Sequence, residues 1–169
     1  KSPSIAQNEV EFMDNSTPDE IARAYGLPTE AEFQSWLESH PEQLLHNVSD
    51  NILVDIQVRI SSQTLTLTSP DGTLTVPVST ARAPYHTIMG CFPPYLMQQM
   101  HYSKKYNNSP MPHSMFFYGG YAVHGTMEEK DLGQPASHGC VRVSRANAAM
   151  LYAVVAHYGP TRTQICVLN

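Results

Sequence analysis

Charge is scarce in this sequence. Ten Lys and Arg stand against fifteen Asp and Glu in 169 residues, a formal net charge of -5. The few cations are scattered, so no basic stripe is present to release counterions from phosphates, and nucleic acid is excluded as an expected partner. Long apolar runs are missing too, although 41% of residues are hydrophobic. Nothing reaches the 18 or more uninterrupted apolar residues of a membrane span, so no transmembrane segment is expected in this chain. A basic, apolar and small-residue signal segment is also lacking after Lys1, which leaves the sequence silent on export. Cysteine occurs only three times, at Cys91, Cys140 and Cys166. An odd number leaves at least one thiol free in any compartment.

What is there fits one domain, long enough to bury roughly two-thirds of its unfolded surface without metals or staples. Thr17-Pro18-Asp19-Glu20 reads as a helix start, with proline in the first turn and acids at the positive dipole end. Gly26-Leu27-Pro28 breaks that helix near Tyr25. Thr29 with Glu32 forms a capping box for a second helix, with Phe33, Trp36 and Leu37 at helical spacing before His40-Pro41. Residues 1–50 are therefore expected to be a helical extension, and residues 51–169 the main domain. From Asn51 the texture changes to alternating β-branched residues, with Pro70-Asp71-Gly72 as a hairpin turn. Residues 84–114, interrupted by Pro84, Pro93, Pro94, Pro110 and Pro112, are expected to form a long loop. Gly119-Gly120 separates two apolar runs as a hairpin would, and His124 then ends a strand. Ser144 is placed to cap a helix through about Tyr158, with Ala148, Leu151, Tyr152 and Val155 on one face, ahead of a last strand TQICVL.

The reactive chemistry concentrates in SHGCVRVS at 137–144. In an extended conformation His138, Cys140, Arg142 and Ser144 share one face, and Gly139, Val141 and Val143 the other. Imidazole and guanidinium on either side lower a thiol pKa and raise its thiolate fraction, so Cys140 is the candidate nucleophile. Cys91 and Cys166 lie among apolar neighbours and read as small buried hydrophobes, or as a disulfide pair if geometry permits. A cysteine nucleophile needs a base and oxyanion donors. His138, two residues away along a strand, is about 6.6 Å off and poorly placed. His124, brought in from a neighbouring strand end, is the better base. Gly125 leaves room for a carbonyl or substrate to approach, and Gly139 frees the backbone N–H groups of Gly139 and Cys140 for an oxyanion.

His124-Gly125-Thr126, followed after a dozen residues by Ser137-His138-Gly139-Cys140-Val141-Arg142, resembles the signature of the YkuD-type L,D-transpeptidase catalytic domain. The resemblance extends weakly upstream to about residue 51. It implies a mainly β, sandwich-like α+β fold with one helix in its C-terminal half, after the short N-terminal helices. It implies acyl transfer between peptidoglycan stem peptides, with Cys140 attacking the third-residue carbonyl and releasing D-alanine, in the periplasm or outer cell envelope and without a cofactor. Cys140, His124 and His138 would be catalytic, Gly139 and Gly125 would serve the oxyanion and orientation, and Ser137 and Arg142 would contact substrate. The acceptor is a stem amine, an envelope-protein lysine or water. Thr87-Ile88-Met89-Gly90 replaces the family's Thr-Pro-x-Gly, which puts substrate preference in doubt. Three rivals stand beside this reading. One is a copper-binding envelope module built on MQQMH at 97–101 and MPHSM at 111–115. A second is zinc held by His124, His138 and Cys140, and a third is a non-catalytic peptidoglycan-binding domain.

Overall fold

The computed structural model describes residues 15–44, 51–101 and 111–169. Two short helices lead, α1 (Pro18–Tyr25) and α2 (Glu30–Ser39), followed by a single turn, α3 (Pro41–Leu44). The expected Thr29–Glu32 capping box forms, and the helix start at Thr17 proves to be a second one. Thr17 and Thr29 each accept a backbone hydrogen bond at N3, and Glu20 and Glu32 return the bond to the cap residue. Of the apolar positions on α2, Phe33 and Leu37 are buried but Trp36 is 43% exposed and stacks on His40. Its ring also lies 5.9 Å from that of Phe33, so Trp36 flanks the buried stripe from the solvent side.

Among the described residues nine strands follow. They are β1 (Val54–Arg59), β2 (Thr64–Ser69), β3 (Gly72–Pro77), β4 (Gly90–Phe92), β5 (Leu96–His101), β6 (Met111–Tyr118), β7 (Tyr121–Gly125), β8 (Val141–Val143) and β9 (Thr163–Leu168). They form two mixed sheets, ordered β3-β2-β1-β9-β4 and β5-β6-β7-β8. Only β1 with β9 and β7 with β8 pair in parallel. Alternation sends Ile56, Leu65, Ile165 and Val167 of one sheet, and Met115, Phe117, Val123, Val141 and Val143 of the other, into one shared core. Helix α4 (Arg145–Tyr158), capped by Ser144, adds Ala148, Leu151 and Val155 to it. The fold is thus the sandwich-like α+β arrangement expected.

Two expectations change. The long loop at 84–114 is interrupted by β4 and β5, and β6 begins within it, because Pro93 and Pro94 fall between strands and Pro112 lies where β6 starts. Residues 102–110 of that stretch lie outside the described residues. The second N-terminal helix, set apart by texture, shares the main core: Phe33 and Leu37 belong to the same buried cluster as the strands, and Phe33 packs on Tyr118 at 4.6 Å between ring centroids.

Candidate active site

Strand β7 and the segment entering β8 bring the candidate residues together. Val123 pairs with Val141 and His124 with Arg142. Since Val123 and Val141 point into the main core, alternation turns Ala122, His124, Cys140 and Arg142 to the opposite face. Cys140 and Ala122 indeed share a second buried cluster. His124 and Cys140 are therefore diagonal in register across this pairing, Cys140 lying two residues before the partner of His124. His124 Nδ1 lies 2.8 Å from the carbonyl oxygen of Gly125. A carbonyl only accepts, so Nδ1 carries the proton, and in the neutral ring Nε2 is the acceptor nitrogen.

The SHGC stretch is not the extended strand expected from alternation. Only residues 141–143 form β8, and 138–140 are a bend in which Gly139 takes φ +152°. Ser137, fully buried, holds this bend from inside. Its hydroxyl donates to the Cys140 carbonyl (2.6 Å) and accepts from Gly139 N–H (3.1 Å). Gly139 N–H is thereby turned to Ser137 and away from an oxyanion, a correction to its expected role. The Thr87 hydroxyl donates to the Gly139 carbonyl (2.7 Å) and accepts from Ala81 N–H (3.0 Å), binding the loop after β3 to the same bend. Ser79 and Arg142 exchange backbone hydrogen bonds of 3.0 and 2.9 Å alongside.

Gly125 is also placed for packing. A side chain there would meet Arg145 Cα at 3.1 Å and Ala148 Cβ at 3.2 Å, so its lack of one seats α4 and opens no path for substrate. Arg142 is buried and donates from Nη2 to Asn15 Oδ1 (3.0 Å), so in this conformation it holds the N-terminal segment where a substrate contact was expected.

His138 faces away from the base role. Arg82 Nη2 donates to its Nε2 at 2.9 Å, Tyr85 stacks on its ring at 4.1 Å, and a backbone hydrogen bond joins it to Asn15. Burial, then the cations Arg82 and Arg142, hold its pKa below the ordinary imidazole value, which keeps it neutral. A guanidinium on Nε2 also argues against zinc at this ring. Among the described residues no three His, Cys, Asp or Glu side chains gather as a metal site. The Met-rich segments serve packing where described: Met115 lies in the main core and Met111 beside Cys140.

Cys91 and Cys166 face each other across β4 and β9 and form a disulfide. Cys140 is the one free cysteine. Beside the site, a cavity of about 280 Å³ is bounded by Pro18, Glu30, Tyr85, His86, Tyr121 and His138. Tyr121 was not singled out from sequence. Its buried phenol donates to Glu30 (2.5 Å) and accepts from His86 Nε2 (3.0 Å). Burial first, then Glu30 and the nearby Cys140, push its pKa far above the ordinary phenol value. Nothing local in the sequence marks Arg82, Tyr85 or Tyr121, because each reaches the site through tertiary packing.

The family profile of the L,D-transpeptidase catalytic domain matches residues 53–165. No curated protein sequence matches this chain. Among solved structures, an L,D-transpeptidase of Mycobacterium tuberculosis superposes with a TM-score of 0.59 at 21% identity, covering 69% of this chain and 58% of that one. One from Xylanimonas cellulosilytica gives 0.56 at 26% identity, covering 69% and 60%. L,D-transpeptidase 3 of Mycobacterium tuberculosis, solved in complex with a faropenem-derived adduct, gives 0.58 at 17% identity, covering 69% and 60%. This chain thus spans about three-fifths of the length of those relatives. With the profile covering well over half of it, the chain belongs to the L,D-transpeptidase catalytic domain family.

Proposed function

We propose that this chain catalyses peptidoglycan acyl transfer with Cys140 as nucleophile and His124 as its base. The observation that carries this is the one free thiol set on the same sheet face as an imidazole whose tautomer Gly125 defines. His124 Nε2 takes the thiol proton, and the thiolate attacks the carbonyl of the third residue of a tetrapeptide stem. The proton then goes to the departing amine of D-alanine, leaving a thioester on Cys140. An acceptor amine, from a second stem or from an envelope-protein lysine, attacks that thioester and restores the thiol, giving a 3-3 cross-link or an anchored protein. Water as acceptor gives a carboxypeptidase with the same first half-reaction. Ser137 and Thr87 hold the Cys140 bend, and neutral His138 orients the mouth of the site together with Arg82. Peptidoglycan as substrate implies the periplasm or outer envelope as the place of action, and no helix among the described residues is long and apolar enough to cross a membrane.

The test is intact-protein mass spectrometry after brief incubation with a disaccharide tetrapeptide, wild type beside Cys140→Ala, with analysis of the small products. A Cys140-dependent acyl adduct with D-alanine released is expected, and His124→Ala should slow its formation by about 10²–10⁴. A penem gives a parallel arm, since one fold neighbour was solved with a faropenem-derived adduct. Folded protein with the Cys140 thiol reduced and the Cys91–Cys166 disulfide intact that forms neither adduct nor product sinks the reading.

A further inference from the structure

For a nucleophile, Cys140 is unusually hidden: it is 3% exposed, and it does not line the adjoining cavity. What covers it comes from the N-terminal segment, which lies outside the matched family profile. Ile21 of α1 packs in the same buried cluster as Cys140, with Ala24 and Tyr25 against it. Pro18 is seated on two glycines. A Cβ on Gly139 would lie 2.4 Å from Pro18 Cγ, and one on Gly120 only 1.8 Å from the Pro18 carbonyl oxygen. Asn15 is held by Arg142 through its side chain and by His138 through its backbone, so two residues of the His-Gly-Cys-x-Arg stretch are spent on this segment.

We propose that Asn15–Ala22 is a displaceable cover occupying the acyl-donor cleft, and that a stem peptide must exchange with it to reach Cys140. This rests on the proposed role of Cys140 as nucleophile. A carbonyl carbon attacked by that sulfur needs the space filled by Ile21 and Pro18, and the peptide groups of a donor stem can take the hydrogen bonds that Asn15 now receives. The hinge is visible in the contacts. Helix α2 stays, because Phe33 and Leu37 are set in the main core and Tyr118 hydrogen-bonds Gln34. Helix α1 is two turns long, too short to persist without its docking contacts. It joins α2 through Gly26, at φ +70°. Besides apolar packing and the Asn15 contacts, α1 is tied by Asp19, which accepts from Glu30 N–H at 2.8 Å. Glu30 in turn is gripped by Tyr121 and His86.

With Cys91 and Cys166 paired, alkylation by iodoacetamide reads Cys140 alone. The full chain with its disulfide intact is compared as wild type, Asn15→Ala, Ile21→Ala and Gly120→Ala, with exposed Leu74→Ser as control. Asn15→Ala and Ile21→Ala are expected to alkylate about tenfold faster or more, a shift of about 1.4 kcal/mol in cover opening. Gly120→Ala pushes Pro18 away without touching Arg142 or His138 and should do the same, while Leu74→Ser matches wild type. Turnover of a tetrapeptide stem should be retained or raised in the uncovered variants. Equal alkylation in all folded variants overturns the proposal. So does a wild-type thiol that already reacts as fast as in urea, or faster alkylation accompanied by lost transfer, which would make the segment a substrate-holding wall. If wild type also transfers nothing, the functional reading fails, while the alkylation rates still decide the cover.

Discussion

Removing one hydroxyl, Ser137→Ala, tests whether Ser137 shapes the Cys140 bend or binds substrate. In the structure that hydroxyl is fully buried and makes two bonds, one to the Cys140 carbonyl and one from Gly139 N–H. Alanine fits the space but leaves both backbone groups without their partner. An unsatisfied buried polar group costs about 1–3 kcal/mol, and partial relaxation of the bend makes a total of about 2–4 kcal/mol the expectation. For a chain of this size each kcal/mol lowers Tm by about 2–4 °C, so a loss of about 5–15 °C should appear in calorimetry or circular dichroism. The same release lets the sulfur drift from His124, and a displacement near 1 Å costs about 10² in rate. The expected signature is thus a lowered Tm together with a lowered kcat. A Tm within about 1 °C of wild type, with KM raised and kcat unchanged, refutes the argument and returns Ser137 to substrate binding.

Other expectations follow from particular contacts. The Cys91–Cys166 bridge spans 75 residues, so its loss should cost about 4 kcal/mol in the chain-entropy account, measured by urea unfolding of Cys91→Ala/Cys166→Ala against wild type. Because Phe33 lies in the main core, Phe33→Ala should cost about 3–4 kcal/mol and lower a single unfolding transition; a separate early transition would make the N-terminal helices an independent unit. His138 has a folded pKa below its unfolded value, so above about pH 6.5 its titration leaves stability untouched. As pH falls from there toward the lowered folded value, the unfolded chain binds the proton first and stability drops. His138→Gln should remove that part of the acid destabilisation, seen as a smaller Tm difference between pH 8 and pH 5; an unchanged difference would count against the assignment. Tyr121→Phe should cost about 1 kcal/mol through lost bonds to Glu30 and His86, read as a small fall in Tm.

Much was legible in the chain because it is local. The helix start at Thr17, the Thr29–Glu32 capping box, the Pro70-Asp71-Gly72 and Gly119-Gly120 hairpins, the Ser144 cap and the final strand all depend on residues within a few positions of one another. The 84–114 stretch was misread as loop because strand pairing is decided by distant partners: β4 exists by pairing with β9, and β5 by pairing with β6. The pairing of Cys91 with Cys166 was open from spacing alone and is decided by the register of β4 on β9.

The candidate site divides in the same way. Sequence by itself determined which residues carry reactive groups: Cys140, His124 and His138 in a pattern that marks the family. Only the tertiary structure decided their surroundings. Parallel pairing of β7 with β8 sets His124 diagonal in register to Cys140, while Arg82 and Tyr85, more than fifty residues away in the chain, hydrogen-bond to and stack on the His138 ring. Burial of Cys140 beneath Pro18 and Ile21 was beyond any local pattern, since it comes from packing between segments more than a hundred residues apart.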